Sequence, residues 1–328
     1  MSQRSYGEYV ISPEDPPSAG GMALVYKGKH RHLPLISAVK IPKPQFAELF
    51  SKEAKTTVLV SGHGSDTNHI VNVRGGNLEH DPPYLVLEWL PESLADILKE
   101  KKSLSWQEVV KIGSQICVAL ELAHTLRDPE YPNGIIHRDI NPQNILVVNP
   151  EDHSNYHVKV SDFGLAAPFD TSGGVETRIV GKPHYAPQEQ WPPKYTGVDN
   201  GVVPASDIYS LGITMFELLT GQLPFLAEDW ETLAYQHKNK PIDYNLVTST
   251  QNSVPSQLIN VLQKATSKHY VDRYQSPGDM KKELDELISD SKSTGESVDV
   301  RSLTQLLNYL SNLKEMSTQE RVSSSDDS

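Results

Sequence analysis

The 328 residues contain a single cysteine, Cys117. No intramolecular disulfide can form, and a cysteine-rich zinc site is excluded. Cys117 lies in the apolar helical run from Val109 to Leu120, which points to a buried structural thiol rather than a reactive one. No apolar run reaches the ~18 residues that a membrane-spanning helix needs. The opening residues Met1 to Tyr6 lack the apolar core of a secretory leader. These absences lead to the expectation of a cytoplasmic protein with no membrane span. A long basic run is also missing. The 30 Lys and Arg against 42 Asp and Glu leave a net charge of −12, which argues against nucleic acid or an anionic membrane as main partner. There is no internal repeat. At 37% hydrophobic the chain can build a sizeable core, and its length suits about two domains of ordinary size.

The first ninety residues read as strands around one helix. Leu24-Val25-Tyr26, Ala38-Val39-Lys40-Ile41 and Tyr84-Leu85-Val86-Leu87 are short apolar, partly β-branched runs. Phe46 to Val60 has helical spacing at Phe46, Leu49, Phe50, Glu53 and Ala54. Beyond Leu90-Pro91 the pattern turns helical, over Leu94 to Leu98, Trp106 to Leu126, Ala205 to Thr220, Ser256 to Thr266 and Met280 to Ile288. After Ser289 a polar linker leads to Leu303, Leu306, Leu307, Leu310 and Leu313. These form one apolar stripe on a helix expected over about 301–316. The acidic, serine-rich tail reads as disordered.

His137-Arg138-Asp139-Ile140-Asn141-Pro142-Gln143-Asn144 sets an acid and an amide five residues apart, and Asp162-Phe163-Gly164 adds a second acid 18 residues after the amide. Phosphoryl transfer from a nucleotide uses these types. One carboxylate orients the attacking hydroxyl and accepts its proton, while an amide oxygen and a second carboxylate hold a cation. The stretch resembles the catalytic and metal-binding loops of protein kinases. Ser18-Ala19-Gly20-Gly21-Met22-Ala23-Leu24-Val25 resembles their Gly-rich loop, with Gly20-Gly21-Met22 and Val25-Tyr26 similar to bacterial members. Ser206-Asp207-Ile208-Tyr209-Ser210-Leu211-Gly212 and Gly181 to Gln190 resemble a large-lobe helix and the closing stretch of the activation segment. The resemblance spans roughly residues 6–290.

Resemblance to a bacterial Ser/Thr protein kinase implies an α+β fold of two lobes. A small β-rich N-lobe with one helix would cover 1–90, a larger α-helical C-lobe 91–290, and a linker, helix and tail 291–328. The same resemblance implies a role for each site residue. Asp139 is the base; Asn144 and Asp162 are the metal ligands. Lys40 holds the nucleotide phosphates and pairs with Glu53, for which Glu48 is the alternative. Ser18, Gly20, Gly21, Val25 and Ala38 line the nucleotide site. Leu87, Glu88 and Leu90 form the hinge, with Leu87 at the back of the adenine pocket and main-chain groups of Glu88 and Leu90 on the adenine edge. Glu92 or Ser93 would reach the ribose or simply start a helix. His137 braces the loop. Asp207, and Glu189 paired with Arg273, are structural. The cofactors implied are ATP and Mg2+, with Mn2+ as an alternative. Protein substrates are the implied partners, with the 301–316 helix docking on the lobes or on a second chain. Thr171, Ser172 or Thr177 is the expected phosphosite, received by Arg138.

The chain departs from the family in several places. Ser18 and Ala23 replace two of the loop glycines, and Gln188 replaces the last proline of the closing stretch. Asn141 stands where Ser/Thr kinases usually carry lysine, and Lys182 where they carry threonine. Lys182 is therefore expected to supply the cation that Asn141 does not, since a long lysine stem can deliver charge from either loop. Residues 126–133 and 191–204 read as inserted loops on the large lobe. A nucleotide-binding pseudokinase scaffold and a small-molecule phosphotransferase are the two rival readings. The missing glycines and Asn141 favour the first, while the retained Lys40, Asp139, Asn144 and Asp162 count against it; the closing stretch argues against the second.

Overall fold

Alternation decides the small lobe. In the strand Ile36–Pro42, Val39 and Ile41 turn to one face while Ala38 and Lys40 turn to the other. The computed structural model describes residues 4–12, 14–19, 22–62, 69–152, 155–163, 167–168, 181–198, 201–251 and 253–295. Among them a seven-stranded antiparallel sheet comes first. It is formed by β1 (Arg4–Tyr6), β2 (Tyr9–Ile11), β3 (Ser18–Ala19), β4 (Ala23–His30), β5 (Ile36–Pro42), β6 (Val73–Asn77) and β7 (Tyr84–Glu88). The order is β1-β2-β4-β5-β7-β6, with β3 paired to β4. One face packs Val39, Ile41 and Val86 with Tyr6, Ile11 and Tyr84. The other face carries the helix α1 (Ala47–Ser61).

Helix α1 buries Phe50, Glu53, Ala54, Thr57 and Val60, the spacing of one helical face. Phe50 and Ala54 meet Leu85 of β7. Leu49, expected on that face, is instead 42% exposed, because the packed stripe begins one residue later. Phe46 lies ahead of the helix, in a 3-10 turn begun by Pro44.

Helices dominate from Leu94 onward. They are α2 (Leu94–Lys101), α3 (Trp106–Thr125), α4 (Pro193–Thr196), α5 (Pro204–Thr220), α6 (Trp230–Asn239), α7 (Asn245–Thr250), α8 (Ser256–Ala265) and α9 (Pro277–Gly295). Short strands β8 (Glu92–Ser93), β9 (Ile135–Ile136), β10 (Ile145–Val147), β11 (Val158–Val160) and β12 (Ala167–Pro168) carry the loops between them. Ser93 and Ser105 start α2 and α3 through reciprocal capping boxes with Asp96 and Glu108. Helix α5 is buried all round: Ile208, Leu211, Ile213, Met215, Leu218 and Leu219 have no exposure. It is the axis on which α3, α7 and α8 pack. Cys117 is fully buried in α3, and burial pushes its thiol well above the ordinary range.

Residues 191–204 are more than a surface loop. Trp191 is 1% exposed, packs with Phe225, Leu233 and Ala234, and donates its indole N–H to the Ala186 carbonyl at 3.1 Å. Residues 1–285 form one compact unit, and α9 runs on to Gly295. The expected 301–316 helix and acidic tail lie outside the described residues. No described helix is long and apolar enough to cross a membrane.

Candidate active site

The strand registers gather one edge of the cleft. Val25 of β4 lies opposite Lys40, and Leu87 of β7 lies opposite Ala38. Directly paired residues share a sheet face, so Val25, Ala38, Lys40 and Leu87 point the same way. Ala38 is 8% exposed, leaving room only beside a small side chain. Ser18 pairs with Val25 in the β3–β4 ladder and is exposed; Gly20 and Gly21 lie outside the described residues. Past β7, Leu90 is half-buried. Glu88 spends its own N–H on the Asn72 carbonyl (2.9 Å), so that donor is not free for an adenine edge. Its carboxylate accepts from Lys159 Nζ and from the Asn72 N–H, each at 2.7 Å. Ser93 is the cap of α2, donating to and accepting from Asp96, which makes it a helix start rather than a ribose ligand.

The Lys40 ammonium is buried and donates to Glu53 Oε1, and at 3.0 Å to Asp162 Oδ1. Burial alone would push the ammonium down; the Asp162 and Glu53 carboxylates more than reverse this and hold it above its ordinary range. Lys40 therefore stays charged in a site where an unpaired cation would be costly. Glu53 is 5% exposed while Glu48 is exposed; the structure thus separates the two candidates.

The catalytic-loop segment is hung from Asp207 of α5. Its fully buried carboxylate accepts from the His137 N–H and the Arg138 N–H, both at 2.8 Å, and from His124 Nε2 at 2.7 Å. Burial raises this carboxyl, yet the His124 bond and the neighbouring donors hold it below its ordinary range. His137 braces as well. Its Nε2 contacts the Ser161 carbonyl (3.0 Å), its Nδ1 accepts from the Asp139 N–H (3.2 Å), and its ring packs on Phe163. Arg138 and Asp162 take positive φ, 70° and 63°, conformations costing ~1–3 kcal/mol for non-glycine residues and held only where surroundings fix them.

Asp139 is the meeting point. Its Oδ1 accepts from Asn141 Nδ2 (3.0 Å) and the Lys182 N–H (2.9 Å), and its Oδ2 from Asn144 Nδ2 (2.8 Å). Burial lifts its carboxyl above the ordinary range, against the pull of His137 and these donors. Asn144 Nδ2 also donates to the Asp139 carbonyl (2.9 Å). Both amide hydrogens are thereby engaged, which leaves the Asn144 oxygen as the atom for a cation. Asn141 Oδ1 accepts from Lys182 Nζ at 2.8 Å. Burial lowers the Lys182 pKa, opposed by Asp139, Glu217 and Asp162.

The closing stretch is tied to this loop at several points. Gly181 has φ +81°, and a Cβ there would sit 2.4 Å from the Arg138 carbonyl; only glycine allows that approach. Gln190 Nε2 donates to the same carbonyl (2.7 Å). Gln188 uses its side chain where a proline would have none, donating to the Lys268 carbonyl (2.7 Å). Arg273 grips Glu189 bidentately at 2.6 and 3.2 Å with no side-chain exposure, and Ser206 adds a third bond at 2.8 Å. The roles of Gln190, His124 and Lys159 carry no local motif in the sequence; each joins residues far apart in the chain. Thr171, Ser172, Thr177 and Gly164 lie outside the described residues.

Among the described residues no cluster of three or more His, Cys, Asp or Glu could by itself hold a metal. Asn144 and Asp162 offer hard oxygen donors, which suit Mg2+ or Mn2+ rather than zinc. Two protein oxygens fill part of an octahedral shell, the case for a Mg2+ that takes its remaining oxygens from phosphates and water. The residues therefore fit such a cation in the company of a nucleotide.

A family model described as "Protein kinase domain" matches residues 18–323. A probable serine/threonine-protein kinase of Clostridium perfringens is 34% identical over 84% of this chain and 38% of its own length. The serine/threonine-protein kinase PrkC of Bacillus subtilis is 32% identical over 81% of this chain and 38% of its own. PknA of Mycobacterium tuberculosis is 32% identical over 68% of this chain and 50% of its own. The chain thus spans half or less of the length of these relatives.

Proposed function

The chain belongs to the protein kinase family, and on that premise we propose that it transfers the γ-phosphate of ATP to serine or threonine hydroxyls of protein substrates, itself included. Residues 1–90 and 91–290 are assigned as its small and large lobes, with a cytoplasmic location. For the 301–316 segment the reading includes docking of its leucine stripe on the lobes or on a second copy. The observation that carries the proposal is Lys40. It belongs to the small-lobe sheet, yet its ammonium bonds Asp162 of the large lobe at 3.0 Å while paired with Glu53. That joins the phosphate-binding group to the metal-binding group.

In this reading Asp139 orients the attacking hydroxyl and accepts its proton as the new O–P bond forms and ADP leaves. Asn141, Asn144 and the Lys182 N–H fix the rotamer of Asp139 before substrate arrives. Lys40 holds the α- and β-phosphates. Asn144 and Asp162 would hold Mg2+, which neutralises charge on the phosphates when bound. Lys182 brings a cation to Asn141 from the closing stretch and stabilises charge on the transferring phosphoryl, because electrostatic stabilisation is usually the largest catalytic contribution. Val25 and Ala38 cover the adenine from the small-lobe sheet, with Leu87 at the back of the pocket. Incubation with Mg-ATP followed by mass-spectrometric mapping tests the reading. Phosphoserine or phosphothreonine, with Thr171, Ser172 and Thr177 the expected acceptors, supports it; no incorporated phosphate on the protein or on a generic protein substrate overturns it.

A further inference from the structure

Residues 126–133 leave α3 and return, through β9, to the catalytic loop. The segment is fixed at both ends. Leu126 is buried. The Tyr131 N–H donates to the Asp128 carbonyl (2.9 Å) and the Glu130 N–H to Asp128 Oδ1 (2.9 Å). Gly134 donates its N–H to the Tyr131 carbonyl (3.2 Å). At φ +92° a Cβ on Gly134 would lie 2.0 Å from the His124 carbonyl, so the return path tolerates no side chain. From this fixed turn Tyr131 reaches α1, its hydroxyl 2.8 Å from Thr56 Oγ1. Thr56 is 2% exposed and gives its own hydrogen to the Lys52 carbonyl (3.1 Å). The phenol is therefore the donor, and a chain of donors runs from Tyr131 to Thr56 to Lys52. Thr56 sits one turn beyond Glu53 on the same side of the helix.

The apolar cluster beneath α1 has Phe50, Ala54 and Leu85 as its buried members, with Val73, Leu78 and Leu87 packed against them. Packing is non-directional, so it fixes the rotation of the helix about its axis less sharply than a hydrogen bond does. A hydrogen bond is directional, and this one comes from a turn eight residues before Asp139 in the chain. We propose that the Tyr131–Thr56 bond is a latch that sets the rotation of α1 and so holds Glu53 against Lys40. Tyr131 is then a positioning residue for phosphoryl transfer, acting through Glu53, and the 126–133 turn is where α1 is held or released from the large lobe. The activity part rests on the kinase reading; the helix-holding part does not.

The test uses the full chain with Tyr131→Phe, Thr56→Val and Thr56→Ser, read by amide hydrogen exchange in α1 and by turnover with Mg-ATP. The latch predicts faster exchange in the Glu53 to Val60 turns for Tyr131→Phe and Thr56→Val, and near wild-type exchange for Thr56→Ser, which keeps the hydroxyl. Each of the first two variants should lose roughly 3- to 10-fold in kcat/KM, the worth of one hydrogen bond, and the double variant should be no worse than either. In a Glu53→Gln background, where the ion pair is already gone, Tyr131→Phe should cost no further activity. Unchanged α1 exchange in Tyr131→Phe overturns the latch. So does an equal activity loss with and without Glu53, which marks a merely structural contact. Wild type turning over no faster than Asp139→Asn overturns the kinase reading instead, and exchange alone then decides the latch.

Discussion

The ammonium of Lys182 lies 2.8 Å from the amide oxygen of Asn141, while the amide nitrogen of Asn141 bonds the Asp139 carboxylate at 3.0 Å. The asparagine thus bridges the proposed base and a cation carried on the closing stretch of the activation segment. Lysine is absent from the catalytic loop but present at its surface, delivered from 41 residues away. A consequence is that the cation is in place only when that stretch is docked through Gly181 and Gln190.

Lys182→Thr is expected to lower kcat roughly 10- to 100-fold, at or below the usual cost of a transition-state donor, with a smaller change in KM for ATP. Adding Asn141→Lys should recover part of the loss, because the charge returns from the other loop. Steady-state kinetics of the two variants decide it; a single variant with wild-type kcat would sink the relocation.

Glu53→Gln keeps the size of the side chain and removes its charge. Lys40 retains Asp162 at 3.0 Å, so the fold should survive. The lysine, drawn toward Asp162, should then be poorly aimed at phosphates, and kcat/KM for ATP should fall at least ~10-fold. Glu48→Gln, at an exposed position, should change nothing. Equal effects of the two changes would contradict the pairing.

The side chains of Arg273 and Glu189 are both without exposure. Arg273→Met strands a buried carboxylate, and the expected loss of stability is ~3–5 kcal/mol. Combining it with Glu189→Leu should restore a good part, since no charge is then left unpaired. Urea unfolding with both variants measures this; a double variant no better than the single would count against it.

His237 is 1% exposed, within 2.9 Å of the Tyr209 hydroxyl, and burial first, then the Lys268 charge, lowers its pKa to about 3. A pKa lower in the folded than in the unfolded chain means stability that is complete above about 6.5 and lost as pH falls toward about 3. The full effect is on the order of 5 kcal/mol. His237→Gln should flatten stability against pH across that window. An unchanged slope would assign the acid sensitivity to other groups.

The short-range part of this architecture is written in the sequence. Asp139, Asn144 and Asp162 stand in compact segments whose residue types the chemistry requires; β5 and α1 show as strand and helix, but Lys40 and Glu53 within them are singled out only by the resemblance to protein kinases. The long-range part is not. Gln190 to the Arg138 carbonyl, His124 to Asp207 and Tyr131 to Thr56 join residues 52, 83 and 75 positions apart, and nothing local marks them as partners. Helix α6 is polar along most of its length and is announced mainly by its Asp229 cap. Trp191 reads as part of an inserted loop because its partners Phe225 and Leu233 come much later in the chain.

The most direct measurement is transfer from γ-labelled ATP to protein hydroxyls by wild type and by Asp139→Asn, with Mg-ATP binding measured on both. Asparagine keeps the shape of the side chain at the centre of the site and removes the proton acceptor. Transfer by wild type, loss of ~100-fold or more in the variant, and binding alike in both are the predicted result. Equal transfer by the two proteins, or none by either despite tight Mg-ATP binding, would contradict the account.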